Sequence, residues 1–555
     1  MSFHRPAAFQ VSSVGVFLAA TIVLVLPASA QFGVSPSQTS GFFDDFRSRT
    51  QQMQQSSAGY RTGDVVYDYE SGTYTSADED QMRPEDLLRE AREASQPAIR
   101  SGSAAFAARS VGDYTNYSGQ YTAPTGYFAP TYVSDPFLNG KRNLKLGPVN
   151  VGLGLYTGLE YNSNITRSKT NPVSDVIGTF MLNINANYRI TQNNVLSISS
   201  AVGFDHYFSH PELSPYGSGN YVLNVLPGST LAFDVKAGPV YFTFYDRISV
   251  RPAVNNAFAL NAQSIFGVFQ NDAGMAMNWA INSKWALSVN YNNSISTAME
   301  KRFNQFNRQL DSIQTVLTYS PHGTWATGIE GGVSFLDYEQ PLLNDAIMGN
   351  LGMFFRTQLG SATVLRLSAG VQQFDFETPT VLPPLGTGDF NDLSDFYLNF
   401  SISNQINNRL SHVLSFGHES ALNLTSNFIT ANFVNYGMSI ITSKGGRLSV
   451  TGFFEDARPS TPSPQTDLIQ YGFDTYYNHQ VTSKIRMGVG YHFGRTDSES
   501  PTGDFDQHAF NVDFTTSISQ KASLLFGYRY FLTNAYNSNF DFQQHRVILG
   551  LNYNF

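Results

Sequence analysis

Three sets of side chains in this sequence have types and spacings that could do chemistry. His418-Glu419-Ser420 sets an imidazole two residues from a hydroxyl, the pair a nucleophilic hydrolase uses when His takes the Ser proton. Asp337, Glu339, Asp375 and Glu377 are carboxylates of the kind that hold a divalent cation. Arg189, Arg366 and Arg529 are single cations in alternating apolar and polar stretches, and rings of such charges select ions in a pore. The 555 residues include no Cys, which excludes thiolate nucleophiles, disulfides and Cys-ligated zinc or iron–sulfur centres. The 10 His residues are scattered and make no metal-ligand spacing. Each candidate takes its meaning from the element that carries it.

Those elements have a period of two. Phe180, Leu182, Ile184, Ala186, Tyr188 and Ile190 share one face, and Met181, Asn183, Asn185, Asn187 and Arg189 share the other. The same alternation recurs around Trp285, Phe396 and Met487. It predicts strands with one apolar face. Connections alternate as well. Short turns such as Asn282-Ser283-Lys284, Gly360-Ser361-Ala362 and Lys444-Gly445-Gly446 separate longer polar loops such as His210 to Gly219, Glu377 to Asp392 and Thr496 to Asp506. Many strands of roughly 9 to 16 residues joined in this way are the signature of a transmembrane antiparallel up-and-down β-barrel. The expected fold is all-β, with about 20 strands and a range of about 16 to 20. Charged residues are only 14% of the chain, and aromatics equal them. That composition fits a barrel better than a soluble domain, where about 25% are charged. The net charge of −9 argues against a nucleic-acid partner.

The barrel gives each candidate a position. By parity Arg189, Arg366 and Arg529 line the interior with Asn183, Asn185 and Asn187, as pore-lining candidates. His418 and Ser420 share the outward parity of Leu414 and Phe416. Their layout resembles that of the outer-membrane phospholipase, but Ala421 stands where that family has Asn directly after Ser. They read as polar residues at the interfacial rim, and no catalytic residue is expected. The four carboxylates lack the loop spacing of a calcium site and read as solvated rim charges. No metal or cofactor is expected.

The N-terminus reads as an export address. Arg5 gives a basic start, Val14 to Leu26 an apolar core of 13 residues, and Ala28-Ser29-Ala30 a small-x-small cleavage pattern before Gln31. Thirteen residues rise about 20 Å as helix, short of the roughly 30 Å hydrocarbon core, so the segment reads as a cleaved signal peptide over 1–30. Residues 31–143 are rich in Ser, Gln, Gly, Asp and Tyr. They read as a mostly irregular, low-complexity periplasmic segment with a short helix near 84–95 and a small hairpin about Ser71-Gly72. The barrel is expected over 144–555.

At the C-terminus, Gly550, Tyr553 and Phe555 form a Gly-x-x-aromatic-x-Phe ending. It resembles the signal by which the barrel-assembly machinery recognises outer-membrane clients, with Ile548 where that pattern has a polar residue. From about Phe137 to Phe555 the chain resembles the β-barrel porin type 2 group of exported bacterial proteins. A Gly/Tyr strand ending in Tyr161-Asn162-Ser163-Asn164, and tight turns such as Tyr319-Ser320-Pro321, carry the resemblance. It implies an outer-membrane barrel, and for some members a role in exopolysaccharide export. The expected function is a porin-like channel for passive diffusion of small polar solutes. The alternatives are an exit pore for exopolysaccharide working with periplasmic export components, or a plugged structural or adhesive surface barrel. The expected partners are outer-membrane lipid, lipopolysaccharide and the barrel-assembly machinery; the oligomeric state is open.

Overall fold

The computed structural model describes residues 65–67, 74–76 and 144–555, in the last span without 192, 214–220, 256–263, 323, 361, 378–387, 423–425, 444–445, 461–466, 499–503 and 536–540. The segments read as signal peptide and as the 84–95 helix lie outside the described residues. Strands β1 (Val65–Tyr67) and β2 (Tyr74–Ser76) pair antiparallel. They flank the predicted Ser71-Gly72 turn.

From residue 144 the chain forms a short strand β3 (Leu144–Leu146) and then 20 long strands. These are β4 (Val149–Asn162), β5 (Asp175–Arg189), β6 (Asn194–Tyr207), β7 (Tyr221–Ala237), β8 (Val240–Asn255), β9 (Ser264–Ala280) and β10 (Trp285–Ala298). There follow β11 (Arg308–His322), β12 (Trp325–Tyr338), β13 (Ala346–Leu359), β14 (Thr363–Phe376), β15 (Leu393–Asn407), β16 (Leu410–Leu422) and β17 (Phe428–Ser443). The last six are β18 (Gly446–Pro459), β19 (Leu468–Gln480), β20 (Ile485–Ser498), β21 (Phe505–Ser517), β22 (Ala522–Ala535) and β23 (Phe542–Asn554). Each pairs antiparallel with its chain neighbour, and β23 pairs with β4 to close the barrel. The expected architecture is the observed one.

Closure is complete along β4. The β23 ladder runs from Arg546↔Asn162 to Asn554↔Gly154, and β3 then pairs with Val149–Val151. Between the two ladders only Gly152 and Leu153 remain, and the Leu153 carbonyl accepts from the Phe555 amide at 3.1 Å, which matters because unpaired backbone groups cost several kcal/mol each in a medium without water. One end of the barrel carries connections of two to four residues, the other connections from five residues (423–427) to sixteen (377–392). They are the turn end and the loop end below. The tight turn at Gly238-Pro239 between β7 and β8 has no counterpart among the predicted turns. Gly238 stands there at φ +62, a conformation open to glycine. The loop predicted over Thr496 to Asp506 is shorter than expected. Thr496 pairs with Phe505, and Arg495 bonds Asp506 at 3.3 Å, so both strands run on into it.

The period of two sorts the faces. Leu159, Leu351, Met353, Val371 and Leu549 are all more than half exposed on the outer face. They meet across strands in apolar pairs such as Leu549↔Leu159 and Leu351↔Val371. An apolar surface running around a whole barrel is one that hydrocarbon would wet and water would not. A 13-residue strand such as β23 is about 44 Å long and, tilted by about 45°, spans about 31 Å, close to the hydrocarbon thickness.

The inner face packs differently. Aromatic rings lie flat along the wall over glycines of the next strands. Tyr397 on β15 crosses Gly370 and Gly352 to donate its hydroxyl to Glu330 Oε1 on β12 at 2.9 Å. Tyr156 lies against Gly158 and Gly550, and Tyr245 crosses Gly274 to reach Asn292 on β10 at 3.0 Å. A Cβ at Gly352 would sit 2.0 Å from the Tyr397 hydroxyl and 2.5 Å from the Ala369 carbonyl. Gly352→Ala should therefore cost about 1–3 kcal/mol, the usual penalty for overpacking. Gly349→Ala, whose Cβ would meet only the Gly332 carbonyl at 4.0 Å, should change stability by less than about 0.5 kcal/mol. Urea unfolding midpoints of the two variants in detergent check this; equal losses would mean that the flat tyrosine does not need the glycine.

Candidate functional site

Two arrangements distinguish the interior. The first is a row of charges across the closing strands. Arg546 on β23 donates from Nε to Glu160 Oε1 at 2.6 Å and from Nη2 to Oε2 at 2.8 Å. Both side chains are buried on the inner face. On one side Arg529 of β22 sits in register with Arg546, 4.0 Å from Asp513 of β21. On the other, Asp205 of β6 accepts from Thr179 at 2.6 Å and from Asn224 of β7 at 2.8 Å. The row therefore runs along the wall over seven strands. The two-point fit of guanidinium on carboxylate is the geometry that best offsets the cost of removing both ions from water.

The Tyr161–Asn164 motif belongs to the same seam. Asn162 Oδ1 accepts from Gln544 Nε2 at 3.0 Å, and Asn164 Nδ2 donates to the Gln543 carbonyl at 3.0 Å. Ser163 and His545 exchange two bonds, at 2.8 and 3.0 Å. Beyond the last ladder pair, side chains thus take over the fastening of β4 to β23.

The second arrangement is an apolar cluster inside the loop end of β9 to β18, where polar residues would be expected. Leu310, Leu336, Met348, Phe374, Leu393, Leu422 and Ile429 pack there with Phe303 and Phe306 of the 3-10 helix Lys301–Phe306, which folds inward. Asp389 fastens the loops above it. Its carboxylate accepts from the Asn427 amide at 2.8 Å, from the Ser460 hydroxyl, and from the Asn391 amide at 3.0 Å. Its carbonyl accepts from Asn344 Nδ2 at 2.8 Å, and that same amide group donates to Asn427 Oδ1 at 2.7 Å. One buried aspartate therefore joins the loops 339–345, 377–392, 423–427 and 460–467.

Beside this clasp the wall is incomplete. The β15–β16 ladder stops at Leu398↔His418, so Leu393–Tyr397 and Glu419–Leu422 do not pair with each other. His418 reaches across the break from Nε2 to Asp395 Oδ2 at 3.0 Å, bonds Asn432 Oδ1 from Nδ1 at 2.8 Å, and stacks on Phe396 with centroids 4.3 Å apart. Ser420 bonds Thr430 at 2.8 Å. Both imidazole nitrogens are committed to other residues, so the His418–Ser420 pair is not assembled for proton transfer.

The other predicted residues fall as follows. Asn183 is on the inner face at 1% exposure, and Asn185 is on that face and exposed. Arg366 faces inward, its Cζ 5.9 Å from the Phe354 ring centroid, in register with Arg356. Arg529 is inward and buried. Asn187 and Arg189 belong to β5, and their side chains are outside the description. Ala28, Ala30 and Gln31 lie outside the described residues. Gly550 is inward under Tyr156, while Tyr553 and Phe555 face outward, edge to face at 5.1 Å. Glu339 accepts from Asn307 at 2.5 Å and Asp375 from Gln373 at 2.8 Å, and no group of three metal-binding side chains gathers among the described residues. Sequence reading missed Glu160 and Arg546. A charge between the outward Leu159 and Tyr161 was the available signal. It also missed Asp389, which lies in a loop without periodicity.

No family model matches the chain, and no curated protein matches it. Among solved structures, it is similar to the FrpB iron transporter of Neisseria meningitidis at 8% identity, over 73% of this chain and 82% of that one, with a TM-score of 0.46. The siderophore receptor PirA of Pseudomonas aeruginosa matches at 9%, over 74% and 81%, with 0.44. Pseudomonas aeruginosa OpdK with vanillate matches at 10%, over 74% and 100%, with 0.36. Each is a distant likeness, and the closed barrel stands on the strand pairing of this chain.

Two outcomes follow from the geometry. Glu160→Ala leaves Arg546 buried without its carboxylate and should cost about 3–5 kcal/mol, while the double change Glu160→Met with Arg546→Met should cost less than the single one. Urea unfolding of the three proteins checks the order. Asp389→Ala should leave strand amides protected and speed hydrogen exchange at residues 339–345 and 426–428, as a fastening of loops predicts. Exchange that accelerates along the β12–β17 ladders instead would make Asp389 a residue of the barrel wall.

Proposed function

We propose that the chain is a bacterial outer-membrane channel through which small polar solutes diffuse passively. The observation that carries this reading is the sorting of faces in a closed 20-strand barrel: apolar outside, with Asn, Gln, Glu and Arg inside. Barrels of 16 to 18 strands already leave an aqueous channel, and 22-stranded ones a plugged lumen. On this reading Arg366 and Asn185 line the path, with Arg189 and Asn187 by parity, while Asn183 and Arg529 are inward but buried in the wall behind it. Outer-membrane lipid and lipopolysaccharide cover the outer belt. The signal peptide over 1–30 delivers the chain to the periplasm, and Gly550, Tyr553 and Phe555 present it to the barrel-assembly machinery. The resemblance to the β-barrel porin type 2 group belongs to the same reading.

The Asp389 clasp favours a mouth that is narrowed on one side. Planar-bilayer recording of the full-length protein tests both statements. Stable conductance is expected from the wild type, rising on Asp389→Ala as the loops loosen. Silence from both proteins would overturn passive diffusion and favour a sealed surface barrel or an exit pore for polysaccharide that needs its periplasmic partners.

A further inference from the structure

The turn that follows β4 is fixed to an unusual degree for a loop. Asn164 holds it from the inside: its amide N–H donates to Asn162 Oδ1 at 3.1 Å, its Nδ2 donates to the Ser168 carbonyl at 2.9 Å, and its Oδ1 accepts from Thr166 Oγ1 and from the Ser168 amide, each at 3.1 Å. Its own carbonyl accepts from Gln544 Nε2 of β23 at 2.7 Å. The residue this turn delivers to the inner side is Arg167. It stands at φ +50, where side chains other than Gly, Asn and Asp are uncommon. It is only 6% exposed.

The guanidinium of Arg167 has no acceptor on Nε or on Nη1, and both atoms are closed to solvent. The carboxylates around the turn are engaged elsewhere. Glu160 holds Arg546 with both oxygens. Asp175 accepts from the amides of Val176, Ser209 and His210. Asp541 takes Lys169 Nζ at 2.6 Å and the Ala535 amide at 2.7 Å. The neighbouring charge that Arg167 feels is the like charge of Arg546. Burial, and after it that repulsion, push the guanidinium down to about 9, so it remains cationic at neutral pH. A buried cation without an anion is among the costliest arrangements in a protein. Here it is held by the same turn that fastens β4 to β23 through Asn164.

We propose that Arg167 is the centre of an oxyanion site at the loop end of the seam, which takes a phosphate, sulfate or carboxylate group at an unpartnered guanidinium donor, Nε or Nη1. These two donors leave the planar guanidinium at different edges, so the oxyanion is met at one of them and the unneutralised positive charge supplies the rest of the attraction. Lys169 to Pro172, next along the turn, are exposed.

The test measures binding, so it does not depend on whether the barrel conducts. Inorganic phosphate is titrated calorimetrically into the full-length protein folded in detergent, and heat-modifiable mobility on gels verifies the fold of each variant. The expected result is one saturable site in the wild type. Arg167→Gln weakens it at least tenfold, Arg167→Lys keeps the charge and loses only part of the affinity, and Lys169→Gln leaves it unchanged. A wild type that binds no phosphate, or a Lys169→Gln loss equal to that of Arg167→Gln, overturns the site. A competition arm with purified lipopolysaccharide identifies the source. Displacement of phosphate assigns the site to a lipid headgroup phosphate, and its absence assigns the site to a soluble anion in the lumen.

Discussion

A strand that crosses hydrocarbon must find a partner for every backbone N–H and C=O, and the first and last strands can find one only in each other. The pairing of β23 with β4 is therefore the contact on which the other nineteen interfaces depend. It is also the one that joins the most distant parts of the described chain. Its reinforcement is heavier than ladder hydrogen bonds alone. β3 extends it at the turn end, the Arg546–Glu160 pair holds it from inside, and Asn162, Ser163 and Asn164 carry it past the last ladder pair at the loop end. A closing strand brings the largest loop-entropy cost of any in the fold. Concentrating charged, two-point contacts there offsets that cost where it falls.

Closing twenty strands creates a second difficulty. A wall this wide holds its opposite sides too far apart for side chains to fill the middle, as they do in an eight-stranded barrel. Inward side chains must instead be satisfied along the wall. That is what the flat tyrosines do: a ring laid over glycine hides its apolar faces and delivers a hydroxyl two or three strands away, as Tyr245 does to Asn292 and Tyr397 to Glu330. Glycine on the inner face is thus the space that a neighbouring aromatic requires, at Gly274 under Tyr245 and at Gly352 and Gly370 under Tyr397.

This also explains what could be read in advance. Alternation and the contrast of short turns with long loops are properties of each strand alone, and they sufficed for the barrel and its strand number. The pairing of Tyr397 with Gly352 is a property of strands 45 residues apart in the chain, and no local pattern announces it. Nor does one announce Asp389, whose partners Asn344, Asn427 and Ser460 come from three other loops. His418 shows the same limit from the other direction. Its parity correctly assigns it to the outer face, but a broken ladder, invisible in sequence, gives it Asp395 as a partner in place of Ser420.

The interior that results is divided. The closing strands present ions held in pairs, whereas the loop end of β9 to β18 presents an apolar cluster under a cover of fastened loops. A solute at the loop end meets unlike walls. Because the Coulomb field of a charge pair falls off steeply while that of an unpaired cation does not, Arg167 contributes more to the potential at that end than the Arg546–Glu160 pair below it. The strands whose pairing closes the barrel are the same strands that present its paired charge.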